Sequence, residues 1–286
     1  MKNCFGPKFF LTSLATSLLL TCLVGSVSAR FTTSEDDIPL ATNSLAASQK
    51  GNTLALRPFE AKYIAIRSGN NVGSASLLLQ AEPLSSESDS ALNNALASAL
   101  NSALNHDSSL YSLVYESHLK RFFLSDKRYE KSYFTTHQDT LIPISYEYKR
   151  TGTGPDKALR VLFDIDDSVL LIDDSEKMTW NGEFDNQLFR VDLPHKLAAG
   201  ESNVSYDFIN YRGEKRHYAL EVVSTENLTL PYGKLMAMKV KINRESSSRV
   251  TYAWFAPSLN HNLVRLQQFK DGKEQGDMQL SEFSFQ

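Results

Sequence analysis

Polar and apolar residues alternate at period two from Tyr111 to Arg150, the pattern of strands with one buried and one wetted face. Tyr111, Leu113, Tyr115, Ser117 and Leu119 fall on one side, and Ser112, Val114, Glu116 and His118 on the other. Ile144, Tyr146 and Tyr148 then alternate with Ser145, Glu147 and Lys149. Upstream, Phe59 to Arg67 and Val72 to Ala81 flank Ser68-Gly69-Asn70-Asn71. Because Gly and Asn tolerate positive φ, this arrangement predicts a hairpin.

Downstream, strand patterns recur at Leu159 to Ile165, Val204 to Asn210, Arg216 to Ser224, Lys234 to Asn243, Val250 to Phe255, Asn262 to Phe269 and Asp277 to Phe285. Turns are expected at Thr151-Gly152-Thr153-Gly154-Pro155-Asp156, Tyr211-Arg212-Gly213-Glu214, Leu230-Pro231-Tyr232-Gly233 and Lys270-Asp271-Gly272-Lys273. Asp173 to Trp180 is a polar excursion of ambiguous type. Asp185 to Leu193 predicts a short helix that buries Leu188, Phe189 and Val191. Strands never alternate with long helices, which argues against a parallel α/β fold. The expectation is a mainly all-β antiparallel meander of about a dozen strands, forming a strongly curved sheet or an open or closed β-barrel with one or two short helices.

The ends of the chain read differently. Lys2 and Lys8 precede an apolar run from Phe9 to Val27, and Val27-Ser28-Ala29 supplies small residues for cleavage. Residues 1–29 are therefore expected to be a signal peptide, with no membrane-spanning segment in the mature chain. Cys22 follows Leu18-Leu19-Leu20-Thr21 and gives an alternative, a lipid-anchored envelope protein, although Thr21 is bulky for such a site. Residues 30–57, rich in Ser, Thr, Ala and Asp, are expected to be a disordered tether, and residues 58–286 a single β domain. Within it, Ser-, Ala-, Asn- and Leu-rich residues 82–109 form an insertion with Leu92, Leu96, Leu100 and Leu104 on one helical face.

Charge and chemistry narrow the function classes. Lys and Arg number 30 against 33 Asp and Glu, and the leader takes two of the basic residues with it. An acidic domain is a poor partner for nucleic acid. Both cysteines, Cys4 and Cys22, lie in the leader, so the mature domain has no thiol chemistry. The six histidines are scattered, and the chain lacks metal-helix, nucleophile-elbow and phosphate-loop motifs. No cofactor is expected. Asp164, Asp166, Asp167, Asp173, Asp174 and Glu176 are the densest acidic group and read as a solvated strand end, because the calcium-loop pattern is missing. Asp126, Lys127, Arg128 and Arg249 are candidates for a charged patch that reads a partner or lipid headgroup. Trp254 is a candidate for the wall of a ligand pocket, although its setting near a strand end also suits the core.

The chain also resembles the DUF3108 domain family of exported bacterial proteins of unknown function. The residues that carry the resemblance are the hairpin Phe59 to Leu79, Ser125-Asp126-Lys127-Arg128-Tyr129-Glu130, Pro143 to Tyr148 with Arg150-Thr151-Gly152, Gln187 to Leu193, Glu226 to Lys239, Arg249 to Pro257, and Leu263-Val264-Arg265-Leu266. The resemblance implies a β-rich domain of the periplasm or cell envelope and supplies no catalytic residues. With 16 Phe and 12 Tyr and no catalytic motif, the leading expectation is a non-enzymatic module binding an apolar, lipid-like ligand or an envelope protein. Two alternatives stand beside it. One is an envelope hydrolase using paired carboxylates, through Asp126 or the Asp164 to Glu176 group. The other is an interaction protein docking through residues 82–109.

Overall fold

The computed structural model describes residues 56–83, 109–137, 140–244 and 248–286, which lie within one compact unit, Gln49–Gln286. The leader, nearly all of the tether and all but the margins of the insertion lie outside the described residues. The first half of the domain contributes β1 (Phe59–Arg67), β2 (Asn70–Glu82), β3 (Leu110–Arg121), β4 (Leu124–His137), β5 (Thr140–Gly152), β6 (Lys157–Asp164), β7 (Val169–Ile172) and β8 (Glu176–Thr179). After β9 (Phe184–Asp185) and helix α1 (Phe189–Ala198) come β10 (Asn203–Ile209), β11 (Lys215–Leu230), β12 (Gly233–Arg244), β13 (Arg249–Ala256), β14 (Asn262–Lys270) and β15 (Lys273–Phe285).

All fifteen strands belong to one sheet, ordered β8-β7-β6-β5-β4-β3-β2-β1-β15-β14-β13-β12-β11-β10-β9. It is two antiparallel meanders joined where β1 pairs with β15, Phe59 opposite Phe285. Only β9 departs, running parallel to β10. The two outermost strands, β8 and β9, are consecutive in the chain and separated by residues 180–183 alone. Five residue steps reach at most about 17 Å, so the sheet must curl until its edges nearly meet.

Side chains complete this seam, because no ladder joins β8 to β9. Ile209 of β10 packs with Tyr146, Val161, Leu170 and Ile172 of β5–β7. The rings of Tyr148 and Tyr211 lie 5.3 Å apart. Lys215 of β11 donates to the Thr179 carbonyl at 2.7 Å and pairs with the Glu183 carboxylate. The result is an open, barrel-like sheet.

Helix α1 fills part of the curl. Leu188, just before it, and Val191 pack with Phe59, Ala61, Tyr63, Leu77 and Leu113, while Leu193 and Leu197 pack with Val204, Phe208, Val240 and Phe255. Register shifts at six pairings, among them Lys62/Tyr63, Tyr133/Phe134 and Trp254/Phe255, supply the local twist such a curl needs. The bulge at Tyr133/Phe134 also explains how Pro143, with no N–H to give a ladder, fits in β5 opposite Phe134. At Gly73 the backbones approach so closely that a Cβ would lie 2.0 Å from the His118 carbonyl oxygen; only glycine fits there.

The predicted hairpin and the later strands are present, and the alternating stretch from Tyr111 to Arg150 resolves into β3, β4 and β5. The ambiguous excursion holds β8. The helix is displaced from Asp185–Leu193 to Phe189–Ala198. Asp185 Oδ1 accepts the Gln187 and Leu188 N–H groups at 2.8 and 3.2 Å, so a side-chain-capped turn precedes the helix. Pro194 lies inside it, and the missing N–H breaks one bond without ending it. Leu188 and Val191 are buried as expected, whereas Phe189 is only partly covered. Leu56, placed in the tether by composition, is 8% exposed and belongs to the main core.

Candidate functional site

Antiparallel order places the β1–β2, β3–β4, β5–β6, β12–β13 and β14–β15 connections at one end of the curl. A cavity of about 640 Å³ opens there, a size typical of small-molecule sites. Ala65, Val72, Tyr115, Leu119, Leu266 and Met278 form its apolar wall. Arg67, Lys120, Arg128, Arg150 and Asp126 also line it. Tyr115 connects this space to the plug, since the Arg190 guanidinium of α1 lies 5.0 Å from its ring.

Alternation along β4 sends Asp126 and Arg128 to the same face. There Arg128 Nε donates to Asp126 Oδ1 at 2.8 Å and Arg150 Nε to Asp126 Oδ2 at 2.8 Å. Burial alone would raise the Asp126 carboxyl, but the two guanidinium groups outweigh it and hold it below the usual carboxylate range. Burial likewise works against the charge on Arg128, and Asp126 more than restores it. Two cations thus share one anion, and the cluster keeps a net positive charge toward the cavity.

The five residues singled out in the sequence do not form one patch. Asp126 and Arg128 meet in the cavity, joined by Arg150, which stands opposite Arg128 in the β4–β5 register. Lys127 points to the other face of β4 and borders a second groove of about 770 Å³. Charges of both signs line that groove, with Lys62 paired to Glu282 at 2.7 Å and Lys149 to Glu147, and Arg128 borders it as well as the cavity. Arg249 is exposed at the start of β13, opposite Lys270. Trp254 is 2% exposed and lines neither space: its Nε1 donates to Glu226 Oε2 at 3.0 Å, and its ring meets the Arg265 guanidinium at 4.9 Å. Five strands separate β4 from β13 in the sheet order.

The acidic group from Asp164 to Glu176 is exposed in the turns of β6–β8. Asp164 Oδ1 accepts the Asp167 N–H at 3.1 Å and Asp173 Oδ1 the Arg160 N–H at 2.8 Å; these are turn-forming roles. Among the described residues, no cluster of three or more metal-type ligands occurs.

Sequence reasoning missed a buried polar network under the plug. Glu130 Oε2 accepts the Tyr146 hydroxyl and the Asn186 amide, each at 2.8 Å. Gln187 Nε2 donates to Ser132 Oγ at 3.3 Å. Asp185 is fully buried, and its Oδ2 has no hydrogen-bond partner. Burial is the largest influence on this carboxyl and pushes it up to about 7 against the backbone N–H of Gln187, the Ser132 hydroxyl and the backbone N–H of Leu188. The network ties the plug segment to β4 and β5. The only sequence signal was the cluster of amide and carboxyl residues in Asp185-Asn186-Gln187, which helical periodicity masked.

The class that fold and site define is an open, barrel-like antiparallel β-sheet with a plugged interior and a basic mouth. Residues 104–279 match the family described as a protein of unknown function, DUF3108, and the chain belongs to that family. Among solved structures it is similar to the β-barrel-like protein of the domain of unknown function DUF1849 from Brucella abortus, with TM-score 0.50 and 7% identity over 82% of this chain and 99% of that one. It is also similar to a protein named as exported, with a YmcC-like fold, from Bacteroides fragilis, with TM-score 0.31 and 11% identity over 81% and 97% of the two chains. No curated protein matches the chain.

Proposed function

We propose that this chain is an exported, non-enzymatic protein of the cell envelope whose curled sheet holds a single-chain amphiphile with an anionic head. The observation that carries the reading is the mouth cavity, where an apolar wall ends beside Arg128 and Arg150 with only Asp126 between them. A carboxylate or phosphate head satisfies the uncompensated guanidinium charge, and an acyl chain covers the Tyr115, Leu119, Leu266 and Met278 surface. The basic, apolar-run leader of residues 1–29 supports export.

The test is displacement of a fluorescent fatty acid from the purified protein by oleate and by the uncharged oleyl alcohol. Oleate should bind at least about tenfold more tightly than the alcohol, and Arg150→Met should remove most of that difference, since a charge-assisted pair is worth about 1.5–3 kcal/mol. Equal affinity for the acid and the alcohol, or no binding of either, would dismiss the proposal.

A further inference from the structure

The β3–β4 hairpin turns on two residues, Phe122-Phe123, with Arg121 paired to Leu124. Both rings are 90% exposed, and Leu124 is 47% exposed. Phe122 adopts φ 54°, a region that penalises a bulky side chain and where two-residue hairpins favour Gly, Asn or Asp. Neighbouring tips at this end follow that preference, with Ser68-Gly69 between β1 and β2 and Asp271-Gly272 between β14 and β15. Phenylalanine at position 122 therefore runs against the turn's own backbone preference.

The tip is also held in place. Thr153 N donates to the Ser125 carbonyl at 2.7 Å, and Ser125 N donates to Thr153 Oγ1 at 2.9 Å. Gly152 permits this approach, because a Cβ there would meet the Ser125 oxygen at 2.4 Å. Two aromatic side chains, each 90% exposed, thus stand on a braced support.

We propose that this tip docks the open end of the protein on an anionic lipid bilayer, with Phe122 and Phe123 entering the interface. Charge identifies the surface. The whole chain has fewer basic residues than acidic ones, 30 against 33, yet the strand ends around this mouth carry Arg67, Lys120, Lys127, Arg128, Arg150, Lys157, Lys270 and Lys273 against Asp126, Asp156, Asp271 and Glu274. Cations so placed attract anionic headgroups, each strengthening partitioning about fivefold near the surface. Area identifies the mode. Two Phe side chains present about 400 Å², well short of the roughly 800 Å² that each partner contributes to a stable protein interface, whereas apolar anchors ringed by basic residues suit a lipid headgroup region. The inference is independent of what the cavity holds.

The experiment uses the exported protein, its Phe123→Trp variant and its Phe122→Gly/Phe123→Asn variant, with vesicles of phosphatidylcholine alone or mixed 7:3 with phosphatidylglycerol. Subtracting the parent's emission isolates the new indole from Trp180 and Trp254, so an N-terminal anchor cannot imitate the signal. The indole should shift to the blue and be quenched by brominated lipid in the anionic vesicles, and much less in the neutral ones. The Gly/Asn variant, which suits the turn, should keep the parent's thermal stability while binding anionic vesicles at least about tenfold more weakly. An indole unmoved by anionic vesicles, an equal response to both compositions, or full binding by the Gly/Asn variant overturns the proposal.

Discussion

Asp185 shows how one residue can be legible in type and illegible in role. Its side chain caps the turn before α1, as Asp before a helix does, but its second oxygen is buried without a partner. The folded-state value of about 7 lies above the roughly 3.9 of an exposed Asp. The folded protein therefore holds this proton more tightly than the unfolded chain does. Stability from this group falls as pH rises from about 4 to 7, and the full cost is present above 7. Asp185→Asn keeps the capping oxygen and removes the charge. Its unfolding free energy from urea denaturation should exceed the parent's at pH 8 by on the order of 3 kcal/mol, with the gap narrowing steadily toward pH 5. A gap of the same size at both values would refute the assignment.

At the scale of elements, most strands were legible because period-two alternation reports a half-buried face directly. Helix α1 was less so. Its buried residues, Val191, Asp192, Leu193, Pro194 and Leu197, follow no single amphipathic stripe, because the plug is covered from both sides of the curl. The β3–β4 turn was illegible for a different reason: Phe122-Phe123 carries none of the residues that mark a turn, and the strand pattern reads straight through it. Anchoring of the plug is testable. Leu188 is fully buried among the main core residues, so Leu188→Ala should cost about 2–5 kcal/mol in urea denaturation, against less than about 0.5 kcal/mol for Val223→Ala at an exposed strand position. Similar small losses in both would show that the plug does not hold the curl together.

For the molecule as a whole, the decisive feature is a sheet whose edges meet through side chains. β1, β2 and β15 are long strands at the middle of the order, whereas β8 is its edge and β7 the strand next to it, each four residues long. Local opening should begin at the seam. In native-state hydrogen exchange, amides of β7 and β8 should exchange at least about a hundredfold faster than those of β1. Uniform protection across the sheet would mean that the seam is as strong as a hydrogen-bonded ladder.

The sequence by itself determined the class, most of the strands and several of the antiparallel hairpins, because alternation, turn residues and short connections act between neighbours in the chain. It also singled out Asp126 and Arg128 as candidates for a charged patch, though not their pairing with each other. Only the tertiary structure decided that β1 closes on β15, that β8 and β9 face each other across a seam, that Arg150 completes the Asp126 cluster, and that Trp254 belongs to the core network around Glu226 and Arg265. Those outcomes depend on how far a fifteen-stranded sheet curls. The curl is the sum of twist and bulges over every strand, a quantity no local stretch of residues contains.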